Sequence, residues 1–328
     1  MEIKILKELF SEEHARMFMN LSFKSESPKS IAARLNQEPD KVSELLEVMS
    51  DKGLIFRKRK GEQFIYRIAP FVVGIYEYQL KRMDKELAQL FEQYHEEIWL
   101  EETGKYPTGF HTIPVGESID TSWRIAPYDI TREFLRSQEK ICVTDCVCRV
   151  QKKILGKGCG HPLEVCLYFG SHAEYIVDKH GGRWITQEEA LKIQAVCEKQ
   201  GLVTQVDSTE NPAALCHCCD CCCGILRALK MHPRPAQQVV SNFYSEVDLD
   251  LCSCCEVCIE HCPMAAIDLD DEGFAFVNRD RCIGCGVCIP SCPSDAIILR
   301  QKPKAQRQEV PLKKIDLAMK MAELRGKV

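Results

Sequence analysis

The sequence predicts an α+β protein in three parts, on three observations. Residues 1–76 hold no cysteine and pair short helical stretches with strand-like ones; residues 140–224 crowd cysteines around a helix and a short strand; and one cysteine run occurs twice, thirty positions apart, between 252 and 292. The expected division is a helical and hairpin module at 1–76, a linker helix at 77–101, a connector and cysteine-rich α/β domain at 102–240, a repeat domain at 241–301 and a basic tail at 302–328.

In the first part, Ser30–Leu35 reads as a short helix, 36–40 as a turn, and Lys41–Lys52 as a second helix with Val42, Leu45, Leu46 and Met49 on one face. Strands at 53–57 and 64–68 flank a basic tip at 58–61. That order resembles a winged helix of the MarR or ArsR type, which implies DNA reading. Charge argues the other way: the second helix offers Asp40, Glu44, Glu47 and Asp51 against Lys41 and Lys52, and each carboxylate would face phosphate. Residues 1–76 carry 13 basic and 11 acidic side chains. Docking or dimerisation is therefore the expectation.

Leu80, Met83, Leu87, Leu90, Tyr94 and Ile98 recur at helical spacing and predict one long helix from Tyr78 to about Leu100, a dimer seam or a brace against the cysteine domain. Residues 102–137, with Pro107, Pro114 and Pro127, read as a wrapped connector ending in a helix at 129–138.

The middle part has two cysteine blocks. One runs from Cys142 through Cys146, Cys148 and Arg149 to Cys159, His161 and Cys166; the other is Cys216–Cys223. Between them Thr186 and Glu189 make a capping-box pattern that opens a helix to about Gln200, and 201–206 reads as a strand. So many adjacent thiols cannot all be inert core residues, so metal ligation leads, with iron–sulfur favoured over zinc or a redox-active thiol centre. The candidates are Cys146, Cys148, Cys159 and Cys166 with Cys218, Cys219, Cys221 and Cys222, for a third and up to a fourth cluster. Cys142 and Cys197 are expected in the core, Cys254 as a spare, and His161 and His217 as loop hydrogen-bonders rather than ligands.

In the third part, Cys252, Cys255, Cys258 and Cys262 precede Pro263, and Cys282, Cys285, Cys288 and Cys292 precede Pro293, two complete C-x2-C-x2-C-x3-C-P runs. Zinc ribbons use separated pairs and do not fit. An Asp-Glu-Gly turn at 271–273 splits two alternating stretches into a hairpin. Residues 248–300 resemble a two-cluster bacterial ferredoxin, in which the fourth cysteine of each run ligates the other cluster. That resemblance implies two 4Fe-4S clusters, one on Cys252, Cys255, Cys258 and Cys292, the other on Cys282, Cys285, Cys288 and Cys262.

The block order over 138–300 resembles a family of 4Fe-4S dicluster proteins from strict anaerobes, which implies electron transfer beside catabolic oxidoreductases. Twenty-one cysteines in 328 residues without a secretory start suggest a reducing, cytoplasmic setting, and no apolar run is long enough for a membrane. A net charge of −5 suits protein partners better than nucleic acid. No nucleotide-binding glycine turn, phosphate loop or haem motif occurs. The expected function is a one-electron relay between redox partner proteins, with a homodimer compatible. The rival readings are a redox-responsive winged-helix regulator and a middle-domain iron site with an open position. The tail at 301–328, with eight basic and three acidic residues, is expected to end in an amphipathic helix through Leu312, Ile315, Met319 and Ala322.

Overall fold

The computed structural model describes residues 1–105, 109–119, 130–312 and 314–324, and the fold is a mixture of helix and sheet of the α+β kind. The chain opens with helices Glu2–Leu9 and Glu12–Met19, the second capped by Ser11, whose hydroxyl accepts from the His14 N–H. Helices Pro28–Leu35 and Pro39–Asp51 follow, each with proline in its first turn, where a missing N–H costs nothing. Strands β1 (Ile55–Lys60) and β2 (Gln63–Ile68) then pair antiparallel. The hairpin is longer than expected: Lys58–Lys60 lie within β1, and the turn is Gly61-Glu62 alone, Gly61 taking a positive φ.

This module does not stand apart. Tyr175, from helix Gly170–Lys179 of the middle part, donates its hydroxyl to the carbonyls of Ser50 (2.9 Å) and Ile55 (2.6 Å). Glu47 accepts from Lys179 (2.7 Å) and Tyr66 (2.8 Å), and buried Arg57 bridges Glu47 to Asp178. One apolar core runs from Ile5, Leu46 and Phe56 into Tyr168, Ala173 and Ile176.

The single helix expected from Tyr78 to Leu100 is broken. Asp84 caps a fresh helix, Lys85–Tyr94, by accepting from the Leu87 N–H at 2.8 Å. On either side lie wide π-turns, Phe71–Ile75 and His95–Trp99. The apolar spacing along the sequence runs on across these breaks, so period alone does not reveal them. Glu92 on the new helix pairs with Lys152 at 2.5 Å, both buried, and fastens it to helix Val147–Ile154.

The expected connector contributes an edge strand, β3 (Phe110–Ile113). The helix expected at 129–138 spans Thr131–Ser137; Asp129, Pro107 and Pro127 lie outside the described residues. With β4 (Ile141–Asp145), β5 (Glu164–Phe169), β6 (Arg183–Ile185), β7 (Val203–Asp207) and β8 (Ala214–Cys218) it forms an antiparallel sheet in the order β3-β7-β8-β5-β4-β6. Period-two alternation sorts the side chains. Ile141, Val143, Leu167, Phe169, Val206 and Leu215 face helices Thr131–Ser137 and Gln187–Lys199. Thr144, Cys166, Gln205, Cys216 and Cys218 fall on the other face, which therefore gathers thiols contributed by strands distant in sequence.

The last part pairs β9 (Phe243–Val247) with β12 (Ile297–Gln301), and β10 (Ile267–Leu269) with β11 (Ala275–Val277). Its thirty-residue repeat extends to the backbone: positive φ occurs at Cys254 and Gly284, at Glu256 and Gly286, and at Ala265 and Asp295. A Cβ on Gly284 would lie 2.3 Å from the Phe243 carbonyl oxygen. Gly284→Ala is expected to destabilise by at least about 1–2 kcal/mol from the left-handed backbone alone, read by thermal unfolding. Cys254→Gly, at the equivalent open position, should be neutral or stabilising. Helix Lys314–Leu324 ends the described chain, with Leu312 and Met319 about half exposed.

Candidate metal centres

Two small cavities mark the repeat. One, of about 10 Å³, is lined by Cys252, Cys255, Cys258 and Cys292; the other, of about 20 Å³, by Cys262, Cys282, Cys285 and Cys288. The chain thus brings together three cysteines of one run with the fourth of the other. Backbone amides point at the sulfurs: Ala266 N–H to Cys262 (3.2 Å), Ala296 N–H to Cys292 (3.3 Å) and Ser245 N–H to Cys282 (3.4 Å). Such donors favour thiolate, which burial otherwise opposes: the Cys288 thiol is pushed up to about 12. Four soft sulfurs lining one cavity with amide donors fit a 4Fe-4S group. The first quartet is the more open, with Cys255 exposed, while Cys282 and Cys288 are buried. Cys254, beside the first quartet, is exposed and outside the cavity lining.

The eight candidate cysteines of the middle part divide differently from their order in sequence. Cys159, in the loop before β5, joins Cys219, Cys221 and Cys222, in the turn after β8. These four are the set among the described residues whose candidate ligand atoms all lie within 4.8 Å of one another. The sulfur separations are 3.9 Å for Cys159 to Cys219, 3.6 Å for Cys159 to Cys222 and 3.7 Å for Cys221 to Cys222. A tetrahedral ion with metal–sulfur bonds of about 2.3 Å separates its sulfurs by about 3.8 Å. A cubane places each cysteine on a different iron and holds the four farther apart. The quartet therefore has the dimensions of a single-ion site.

The remaining cysteines form a ring. Cys146 neighbours Cys148 and Cys166; Cys166 neighbours Cys216; Cys216 neighbours Cys218; Cys218 neighbours Cys223; and Cys223 returns to Cys148, all six lining one cavity. Cys146, Cys216 and Cys223 are held below the usual thiol range, first of all by hydrogen bonds from their ring neighbours, and Cys216 sits at about 5. Cys148, Cys166 and Cys218 are pushed up, first by those same neighbours and then by burial. Cys216 and Cys223 were missing from the expected ligands. The period-two signal was available for Cys216, which shares a strand face with Cys218; Cys223 carries only its place before Gly224.

Arg149 lies between the two middle sites, 2% exposed, donating to the carbonyls of Pro162 (2.8 Å) and His217 (2.7 Å). The Cys219 thiol is held down at about 5 by the Cys222 hydrogen bond and, against the cost of burial, by the Arg149 guanidinium. His217 contacts the Val165 carbonyl at 2.6 Å and Gln194 at 2.7 Å, and His161 contacts Gln200 at 3.4 Å, so both serve the fold. Cys142 and Cys197 are fully buried, each packed in an apolar cluster that also holds ring cysteines, and neither lines the ring's cavity.

The two quartets of the repeat and the six-cysteine ring are contiguous. One apolar cluster joins Cys252, Cys258 and Cys292 to Cys262 and Cys288, and another joins Cys262, Cys282 and Cys285 to Cys216, Cys218 and Cys223 through Val203, Ile283 and Val287. The segment 109–119 straps this junction, the Val115 N–H donating to the Cys285 carbonyl at 3.0 Å and Ser118 to the Gly286 carbonyl at 3.1 Å.

Residues 275–298, spanning the second cysteine run, match the 4Fe-4S binding domain family (Fer4). No curated protein matches the chain. Iron–sulfur binding is thus supported twice, by the family match and by the gathered cysteines. Among the described residues no helix is long and apolar enough to cross a membrane.

Proposed function

We propose that this protein is a one-electron relay of the two-cluster ferredoxin type, in which the outer quartet, the inner quartet and the middle domain form one path. The observation that carries the reading is the pair of four-cysteine cavities in contiguous apolar surroundings, three of the second's four cysteines falling within the family match. When bound, 4Fe-4S groups accept and release single electrons. The chain's part is to fix them close together, to supply amide donors to the sulfurs and to keep water from the inner quartet. The open end, with Cys255 exposed and Leu249 and Leu251 each about half exposed nearby, is the face for a redox partner protein. Anaerobic iron and acid-labile sulfide analysis tests this reading: it requires at least about eight of each per chain. Zinc in their place would sink it.

The quartet Cys159, Cys219, Cys221 and Cys222 is, in this reading, a structural single-ion site, with zinc the favoured occupant. Cys221→Ser is expected to remove about one zinc per chain and leave iron unchanged, measured by elemental analysis of the purified protein. Loss of about four irons instead would make it a cluster site.

A DNA-reading role for the winged-helix-like module is disfavoured. Helix Pro39–Asp51 is packed on the middle domain through Ser50 and Glu47, and its exposed face carries Glu38, Asp40, Glu44 and Asp51 against Lys41. We assign the module a bracing role.

A further inference from the structure

We infer that the six-cysteine ring is a binding site for one sulfide-bridged iron cluster larger than a four-iron cubane, with Cys146, Cys148, Cys166, Cys216, Cys218 and Cys223 as its terminal ligands. This goes beyond the relay reading, which puts the middle domain on the path without saying what it holds.

Ligand number is the first argument. A cubane takes four thiolates, and the same chain provides two such quartets for comparison. All six ring thiols line one cavity, which also reaches Cys219 and Cys222 of the neighbouring quartet. The six come from four places in the fold: the start of helix Val147–Ile154, β5, β8 and the residue before helix Gly224–Met231. Size is the second argument. The cavity lined by the ring measures about 60 Å³, against about 10 and 20 Å³ for the two quartets.

The walls supply a third. Gln205 is fully buried, yet neither its amide nitrogen nor its oxygen has a hydrogen-bond partner, and Thr144 Oγ1 and Trp99 Nε1 are likewise buried and unpaired. All three residues line the cavity. Unpaired buried polar groups are costly, and groups converging on one cavity mark something missing from it. Bridging sulfides, which accept hydrogen bonds, would satisfy the N–H and O–H groups. The fourth argument is charge. Helices Val147–Ile154 and Gly224–Met231 begin immediately after Cys146 and Cys223, so two positive helix ends meet the ring, and the Arg149 guanidinium lies behind it. That arrangement suits a polyanionic cluster.

The fold is locally unusual where it meets the cavity. Both π-turns, Phe71–Ile75 and His95–Trp99, contribute to its lining, through Val72 and through His95 and Trp99. Wide turns of this kind are recurrently found at functional sites. Because these segments belong to the amino-terminal half, filling the cavity would also lock that half onto the middle domain.

The test is stoichiometry in the full chain, purified and reconstituted anaerobically with ferrous iron and sulfide. Since each terminal cysteine holds one iron, the wild type should carry at least about fourteen irons per chain, eight in the repeat domain and six or more in the ring. The double variant Cys166→Ser/Cys216→Ser should lose six or more and keep about eight. Loss of four irons would mean an ordinary cubane with spare thiols, and no loss would mean thiols or zinc; either overturns the inference. If the double variant does not fold, the wild-type total decides, with Cys285→Ser measuring the share of the repeat domain. A wild type lacking iron that depends on Cys285 would overturn the relay reading and leave the ring to be judged by its own variant.

Discussion

Cys285→Ala in the reconstituted full chain is expected to lose or convert one cluster and, with it, most electron throughput between a low-potential donor and an acceptor. Cys285 lines the inner cavity with Cys262, Cys282 and Cys288, and this cavity lies between the outer quartet and the ring in the apolar packing. Its backbone carbonyl takes the Val115 N–H, so the loop stays strapped when only the sulfur is removed. The expected loss is between one and about four irons per chain, depending on whether a three-iron remnant survives. Spectroscopically monitored reduction should then become slow for everything beyond the outer quartet. Intact throughput with the inner cluster missing would mean that electrons bypass it.

Arg149→Met should produce the largest structural effect. The guanidinium is buried and serves two carbonyls, Pro162 and His217, while standing beside Cys146 and Cys219. Methionine keeps much of the stem but leaves both carbonyls without donors and the thiolates without their buried cation. Such losses destabilise by about 3–5 kcal/mol. The outcome to expect is a lower unfolding midpoint together with loss of metal from the Cys159 quartet. Arg149→Lys should recover the charge without the two-pronged hydrogen bonding and fall between the two. A variant with normal stability and normal metal content would show that Arg149 is a passive filler.

Legibility followed locality. The repeat domain is readable because each run places three ligands within seven residues, and Pro263 and Pro293 close both runs alike. The hairpin at Ile267–Val277 follows from its turn, where Asp270 Oδ1 accepts from the N–H groups of Glu272 and Phe274. The middle domain resists because its ligands are sorted by tertiary structure. Cys159 leaves its neighbours Cys148 and Cys166 for a turn sixty residues away, and Cys218 and Cys219, adjacent in the chain, go to different sites since successive residues leaving a strand point apart. The linker was misread for a related reason. Asp84 is a good cap, but the apolar spacing of Leu80, Met83 and Leu87 continues across it, and period alone does not reveal the break. β3 is hidden between Gly109 and Pro114, too short to show alternation.

The domain boundaries drawn from composition also meet a physical limit. Cysteine content changes abruptly near residue 140, but packing does not. The core of the amino-terminal helices continues into Tyr168 and Ile176, and the core around Cys223 continues into Ile283. A chain whose cysteine groups share walls in this way has reason to bury its junctions, because each group is covered by the next segment.

The most direct test of the relay is electron paramagnetic resonance of the dithionite-reduced holoprotein, wild type beside Cys285→Ala. The relay predicts, for the wild type, broadened signals from neighbouring reduced clusters, and for the variant, the narrow signal of an isolated outer cluster. Two sharp, non-interacting signals in the wild type, unchanged by the substitution, would contradict it.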